Sequence, residues 1–287
     1  MVWVAILTAS TALTFDIVAF SINVRLLFMI FVSKKIKRSD ELSLFYARFL
    51  IDVFLCFSNA SYQLFILLHF LDIHSTIPLI TFLINFPSVS MMPIRAIMVL
   101  LITIDRTLAV YVPIKYHIHR RKVSNRPIIL SVFAYLIFDS SVLWLICGYQ
   151  LIVPPRCLGF KCINDMCYIG YWVILEQTLL LSTGAVSVLM MTKLLLWKKC
   201  AKGPRNSNFV RANRLALIDI LIIALFDFIP LTVIAKYMDY DFEQIGPLNA
   251  AIRLIGYTLE GIVVTRALVK KSGVPATRSG SKVIQVS

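Results

Sequence analysis

Histidine and glycine are scarce in this chain of 287 residues, at 4 and 10 respectively. It has no His-Glu-x-x-His metal pair, no Gly-x-Ser-x-Gly nucleophile turn and no glycine-rich phosphate loop. Enzyme chemistry of those kinds has no footing, and no cofactor is expected. Acid is the second shortage: 15 Asp and Glu stand against 29 Lys and Arg, a formal charge of +14. Internal repeats are absent too, which removes the inverted-repeat layout of many transporters. The first apolar run has no basic segment before it and no small-residue cleavage site after it. That run is therefore expected to stay as a span rather than leave as a signal peptide.

What is abundant is apolar. The chain is 59% hydrophobic with a mean hydropathy of +0.82, well above a soluble domain. Apolar stretches near the ~20 residues needed to cross a bilayer recur at about 2–32, 42–71, 76–111, 127–149, 169–197, 215–235 and 247–269. Open backbone is not tolerated in lipid, so runs of this length read as helices. The expected fold is an all-α membrane protein, a seven-transmembrane helix bundle over 1–269 with a short polar tail over 270–287. In the seventh span Arg253 and Glu260 read as dilution of an apolar face built from Ile252, Leu254, Ile255, Leu259 and Ile262.

In a soluble protein, a charge of +14 would raise nucleic acid as a partner. Here the basic residues lie between apolar runs, so membrane lipid is the expected neighbour and no nucleic acid is. The first, third and fifth loops hold Lys34, Lys35, Lys37 and Arg38, then Lys115, Arg120, Arg121, Lys122 and Arg126, then Lys198, Lys199, Lys202, Arg205, Arg211 and Arg214. The alternate loops hold only Arg156, Lys161 and Lys236. Positive charge marks the cytoplasmic side. The N-terminus is thus expected outside and the C-terminus inside.

Ionisable residues within spans are costly and usually functional. Asp105 and Arg106 sit together where the third span meets a basic loop. Arg106 can snorkel to the interface, or be held by Asp105 or by an acid on another helix. Arg95 lies ten residues before Asp105, or ~15 Å by helical rise. It can form an ion pair with Glu176 or Asp227, or hold an acidic ligand; these three residues are the candidate ligand pocket. Pro230 removes a backbone donor from the sixth span, giving either a moving hinge or a static kink. Cys157, Cys162 and Cys167 lie in the second outer loop, where an oxidising exterior favours pairing. One bridge among those three is expected, with Cys147 and Cys56 read as small buried apolar residues. Cys200 reads as a palmitoylation site or a free thiol. Three loop cysteines without a partner histidine make no zinc site, and no metal is expected. His117 and His119 read as solvated. The sequon Asn59-Ala60-Ser61 falls inside a span and reads as chance.

Asp105-Arg106-Thr107-Leu108-Ala109 is followed by Pro113, eight positions after the Asp, and by Tyr116, three further on. This resembles the third-helix signature of rhodopsin-like G-protein-coupled receptors. Asn23 and Asp52 are spaced much as that family's buried Asn and Asp, and Phe228-Ile229-Pro230 resembles its aromatic-x-Pro kink. With Phe45-Tyr46-Ala47-Arg48-Phe49-Leu50-Ile51-Asp52 and the cysteine-rich outer loop, the whole chain is similar to nematode serpentine chemoreceptors, class BC (srbc) in particular. The resemblance implies Asp105, Arg106, Pro113, Tyr116 and Pro230 as activation and G-protein-coupling residues. It implies a buried polar or sodium site at Asn23 and Asp52, or else a plain helix-to-helix hydrogen bond there. Its implied partners are a small-molecule ligand and a heterotrimeric G protein, and its implied place is a plasma or sensory-cilium membrane.

The sequence also departs from that pattern. The seventh span has no Asn-Pro-x-x-Tyr, and Thr107 stands where the family has Tyr. No Cys opens the third span, so the family's usual bridge to the outer loop cannot form. A retinal Schiff base is excluded, because the seventh span has no Lys. The expected function is a chemosensory receptor for a small external molecule. The alternatives are a small-molecule transporter, or a ligand-gated channel that would need a cytoplasmic N-terminus.

Overall fold

The computed structural model describes residues 2–36, 42–71, 78–120, 124–150, 165–200, 217–218, 221–230 and 247–269. Among these, six helices are long and apolar enough to cross a membrane. They are Val2–Phe31, Ser43–Phe70, Pro78–Tyr111, Asn125–Ser141 with its continuation Val142–Ile146, Met166–Cys200 and Leu248–Val269. They correspond to the first five spans and the seventh. The sixth span is seen over 221–230, also helical. The fold is an all-α membrane bundle.

Large apolar side chains point outward all round: Trp3 is 80% exposed and Leu145 81%. Water would not tolerate such a surface, whereas lipid does. The first span buries a line of small residues instead, Ala5, Ala9, Ala12 and Ala19. Small residues let helix backbones approach closely, which is how membrane helices gain contact without a hydrophobic drive. The first span accordingly packs against the second and the seventh.

Two apolar clusters hold the two ends of the bundle. Phe45, Phe49, Met98, Ile102, Val110, Met190 and Leu268 belong to the cluster at the Asp105 end. Phe82, Val142, Leu143, Tyr149 and Tyr168 form the cluster at the opposite end.

Several expected boundaries shift. The region after Tyr111 is not all loop: Pro113 opens a short helix, Pro113–Arg120, as suits a residue whose missing N–H is unneeded in a first turn. The fourth span ends in a π-turn over Val142–Ile146, where the Cys147 N–H reaches back to the Val142 carbonyl at 2.9 Å. A bridge joins Cys147 to Cys167, with Cα atoms 5.7 Å apart. The expected bridge within the loop is therefore corrected for Cys167. The reading of Cys147 as a buried apolar thiol is corrected as well. The π-turn brings Cys147 level with the start of the fifth span, a position that sequence spacing does not reveal. Cys157 and Cys162 lie outside the described residues, as do the loop segments 37–41, 72–77, 121–123 and 201–216 and the tail.

The sixth span carries a second π-turn, Ala224–Phe228. Pro230 has no N–H, and its ring crowds the carbonyl four residues back; a widened turn just before it relieves that clash. The sixth and seventh spans meet closely there. A Cβ added at Gly256 would lie 2.6 Å from the Phe226 Cβ. We expect Gly256→Ala to cost roughly 1–3 kcal/mol through overpacking, read as a fall in the thermal unfolding temperature of the purified protein. Gly184, with nothing within 4 Å of an added Cβ, is the control: Gly184→Ala should be neutral or slightly stabilising.

Candidate functional site

Among the described residues, three clusters inside this bundle pair acids with arginines. The first joins the second, third and seventh spans, midway along the third and in the first half of the second. Arg48 and Asp52 are four apart on one helix, so their side chains share a face. Arg48 donates to Asp52 Oδ2 from Nε at 3.2 Å and from Nη2 at 3.1 Å. Arg95 donates from Nε to Asp52 Oδ1 at 2.9 Å and from Nη2 to Glu260 Oε2 at 2.6 Å. Arg48 Nη2 closes the figure on Glu260 Oε1. Each carboxylate thus bridges both guanidinium groups, and all four residues are buried. The Arg95 guanidinium also lies over the Tyr257 ring, 3.8 Å from its centroid.

The second cluster ties the fifth, sixth and seventh spans. Arg253 Nη2 donates to Glu176 Oε1. Arg253 Nε lies 3.3 Å from Asp227 Oδ1, a charge contact whose angle falls short of a hydrogen bond. Arg253 Nη1 meets the Met92 sulfur at 3.4 Å, which links the third span. A small cavity of about 20 Å³ lies beside this cluster, with Arg95, Glu176, Asp227, Arg253, Trp172 and Tyr257 in its wall.

The third cluster closes the far end of the third span. Asp105 Oδ2 accepts from Arg106 Nε at 3.1 Å and from the Tyr116 hydroxyl at 2.9 Å. Arg106 Nη2 donates to the same oxygen and, at 3.3 Å, to the Tyr116 hydroxyl. Arg106 is 2% exposed, so it is not snorkelling. Tyr116 reaches back because Pro113 starts a new helix at once, one turn before it. Nearby, the Tyr111 hydroxyl donates to the Leu189 carbonyl at 3.2 Å, joining the third and fifth spans.

The structure thus brings together Asp105, Arg106 and Tyr116, with Pro113 setting the turn between them. It gathers Arg95, Glu176 and Asp227 around one cavity. Arg95, however, makes its ion pairs with Asp52 and Glu260 rather than with Glu176 or Asp227. It does not join Asn23 to Asp52: the Asn23 amide donates to the Ala19 carbonyl of its own helix at 3.0 Å, and both oxygens of Asp52 serve arginines. Pro230 lies next to the π-turn that carries Asp227. The sequon residue Asn59 is buried against the third span and accepts from the Ser88 hydroxyl. Among the described residues no cluster of His, Cys, Asp and Glu could hold a metal ion.

Arg48, Glu260 and Arg253 were the residues that sequence reasoning passed over. Arg253 and Glu260 do not dilute the seventh span; they are its contribution to two charge clusters. The signal was present, since each is an ionisable residue well inside an apolar run. Asp139 was missed as well. It is buried and accepts from the hydroxyls of Tyr168 at 3.0 Å and Tyr135 at 3.2 Å, joining the fourth and fifth spans near the disulfide. Asp16, in the first span, is fully buried, and neither carboxylate oxygen has a hydrogen-bond partner among the described residues.

Removing one partner from a buried ion network strands the other charges, at a cost of about 3–5 kcal/mol. Glu260→Ala would remove one carboxylate that both Arg48 and Arg95 donate to, leaving Asp52 to face two guanidinium groups, and should lower the unfolding temperature and cut delivery to the cell surface. Asn23→Ala, which removes an amide that donates to its own helix, should have a much smaller effect in the same assays.

The model of the serpentine type 7TM GPCR chemoreceptor Srbc family matches residues 1–272 of the chain. No curated protein matches it. The match covers every span, and the chain belongs to this chemoreceptor family.

Proposed function

We propose that the chain is a chemosensory receptor that takes a small external molecule and signals through a heterotrimeric G protein at the opposite face. The observation that carries the reading is the closure of Asp105, Arg106 and Tyr116 at one end of the third span, in a chain of a chemoreceptor family. The cavity walled by Arg95, Glu176 and Asp227 lies further along the same helix and is the ligand site in this reading. A domain over 1–269 forms the receptor, and the tail over 270–287 follows on the cytoplasmic side. Loop charge supports an external N-terminus and a cytoplasmic C-terminus, in a plasma or sensory-cilium membrane.

The mechanism is a choice between two packings. In the packing described here, Arg106 is buried and its guanidinium is satisfied by Asp105 and the Tyr116 hydroxyl, within the third span and the helix that follows it. Release of that contact would turn a buried cation toward the end of the bundle, where a partner helix of the G protein can seat. A ligand drives the change only by binding one packing better than the other. Moving the population from 1:99 to 99:1 requires about 5.5 kcal/mol of differential binding. The sixth span, with its π-turn and Pro230, is the moving element. It is tied to the seventh span by Asp227 and Arg253, so a ligand at the cavity can act on it directly.

Two substitutions test the switch. Arg106→Ala should abolish ligand-driven signalling in a G-protein reporter assay while leaving surface delivery largely intact; normal signalling from that variant would refute the role of Arg106. Tyr116→Phe removes the hydroxyl that both donates to Asp105 and accepts from Arg106, about 1 kcal/mol for a typical hydrogen bond. It should raise basal signalling several-fold, measured without ligand at matched surface level.

A further inference from the structure

Arg25 and Arg266 lie outside the paired clusters and face the lipid. Arg25 is six residues before Phe31, the end of its helix in the first span, or ~9 Å by helical rise. Arg266 is in the last turn of the seventh span. Both are exposed, on helix surfaces whose other exposed side chains include Phe28 and Val263. Neither makes an ion pair among the described residues. A guanidinium stays charged in a protein, and a charge facing hydrocarbon is costly until it reaches the headgroup layer. The two arginines also lie at nearly one depth. Ala12 packs with Ala251, and further along an added Cβ at Gly261 would lie 3.0 Å from Ile22 Cγ2, so the first and seventh spans run side by side in the same direction. Arg25 is three residues beyond Ile22 and Arg266 five beyond Gly261, a difference in depth of ~3 Å.

After Phe31 the chain folds back on itself. The Ile36 N–H reaches the Met29 carbonyl at 3.4 Å, and Ile36 is buried in the cluster at the Asp105 end. Lys34 and Lys35, exposed in that turn, therefore stay over the same end of the first span. Like the two arginines, they have no ion pair among the described residues; the loop acids Asp40 and Glu41 lie outside those residues. A lipid-facing site with this charge calls for an anion that itself sits at the headgroup layer. A phosphate fits the fork of a guanidinium with two parallel hydrogen bonds, and a choline group beside it would be repelled by four cations. We propose that Arg25 and Arg266 hold the phosphate of an anionic phospholipid between the first and seventh spans, with Lys34 and Lys35 adding attraction from above. In the reading of loop charge this end faces the cytoplasm, where the leaflet is rich in anionic lipid. Such a site requires only the membrane bundle and does not depend on signalling.

The test uses the full-length protein purified in detergent. It is titrated with phosphatidylglycerol or phosphatidylcholine of matched chains, and bound lipid is counted by native mass spectrometry. The first phosphatidylglycerol should bind about ten-fold more tightly than phosphatidylcholine. Arg25→Gln and Arg266→Gln should each lower that preference several-fold and together remove it. Both leave the buried ion pairs in place, and either carries the test if the other does not fold. Arg25→Lys, which keeps the charge, should retain more of the preference than Arg25→Gln. Arg126→Gln, which removes an exposed cation at the start of the fourth span, should leave it unchanged. Equal binding of the two lipids would overturn the proposal. So would a preference that survives both glutamine variants, since the arginines would then be met by protein acids such as Asp40 and Glu41. An equal loss in Arg126→Gln would mean diffuse attraction in place of a site. Displacement of the lipid by inorganic phosphate at matched concentration would assign the site to a soluble anion, and would overturn the proposal as well.

Discussion

Two guanidinium groups and two carboxylates face one another in the middle of this bundle, and the arrangement of three helices depends on them. Charges buried in a membrane protein survive only when each is paired and its hydrogen bonds are met. Arg48 and Asp52 come from the second span, Arg95 from the third and Glu260 from the seventh. Because each carboxylate touches both arginines, no helix can rotate or slide without breaking contacts to the other two. The register of the second, third and seventh spans is therefore set by electrostatics, in a medium where apolar packing alone gives little directional preference.

The rest of the bundle is arranged around that unit. The first span packs its small residues onto the second and the seventh. The fifth and sixth spans are held to the seventh through Arg253, with Glu176 and Asp227 on either side. The fourth is held to the fifth by Asp139 and its tyrosines, and by the Cys147–Cys167 bridge. The two π-turns have the same local effect: one brings Cys147 to its partner, the other precedes Pro230 and carries Asp227. The contrast between the clusters matters for function. The Arg48 network is neutral and closed, so it acts as a frame. The Arg253 cluster borders the cavity and ties three spans, so in the proposed reading it is where a ligand would act.

Much of this was legible in the sequence. Apolar runs and loop charges gave the helices, and the signature from Asp105 to Tyr116 pointed to the family. The candidate residues Arg95, Glu176 and Asp227 lie around one cavity, and depth along a helix is readable from residue number alone. Partner choice was not readable. Whether Arg95 meets Glu176 or Glu260 depends on helix rotation and crossing, which one sequence does not encode locally. Arg253 and Glu260 were weighed for hydropathy when the relevant fact was their charge. The disulfide was missed because a π-turn shifts Cys147 along and around its helix, and such turns leave no pattern in residue spacing. The separation of Asn23 from Asp52 has the same origin, since spacing along the chain fixes depth but not facing.

Charge couples the second and seventh spans through Arg48 and Glu260. The most direct measurement is a double-mutant cycle between Arg48→Met and Glu260→Gln, read as unfolding free energy of the purified receptor in a fixed lipid environment. Contacting residues in one network typically couple by about 0.5–3 kcal/mol, and the account places this pair near the top of that range, with the double variant well above the sum of its parts. Additivity within about 0.5 kcal/mol, as for distant sites, would contradict it: the second and seventh spans would then be held by packing, and the charges would be bystanders.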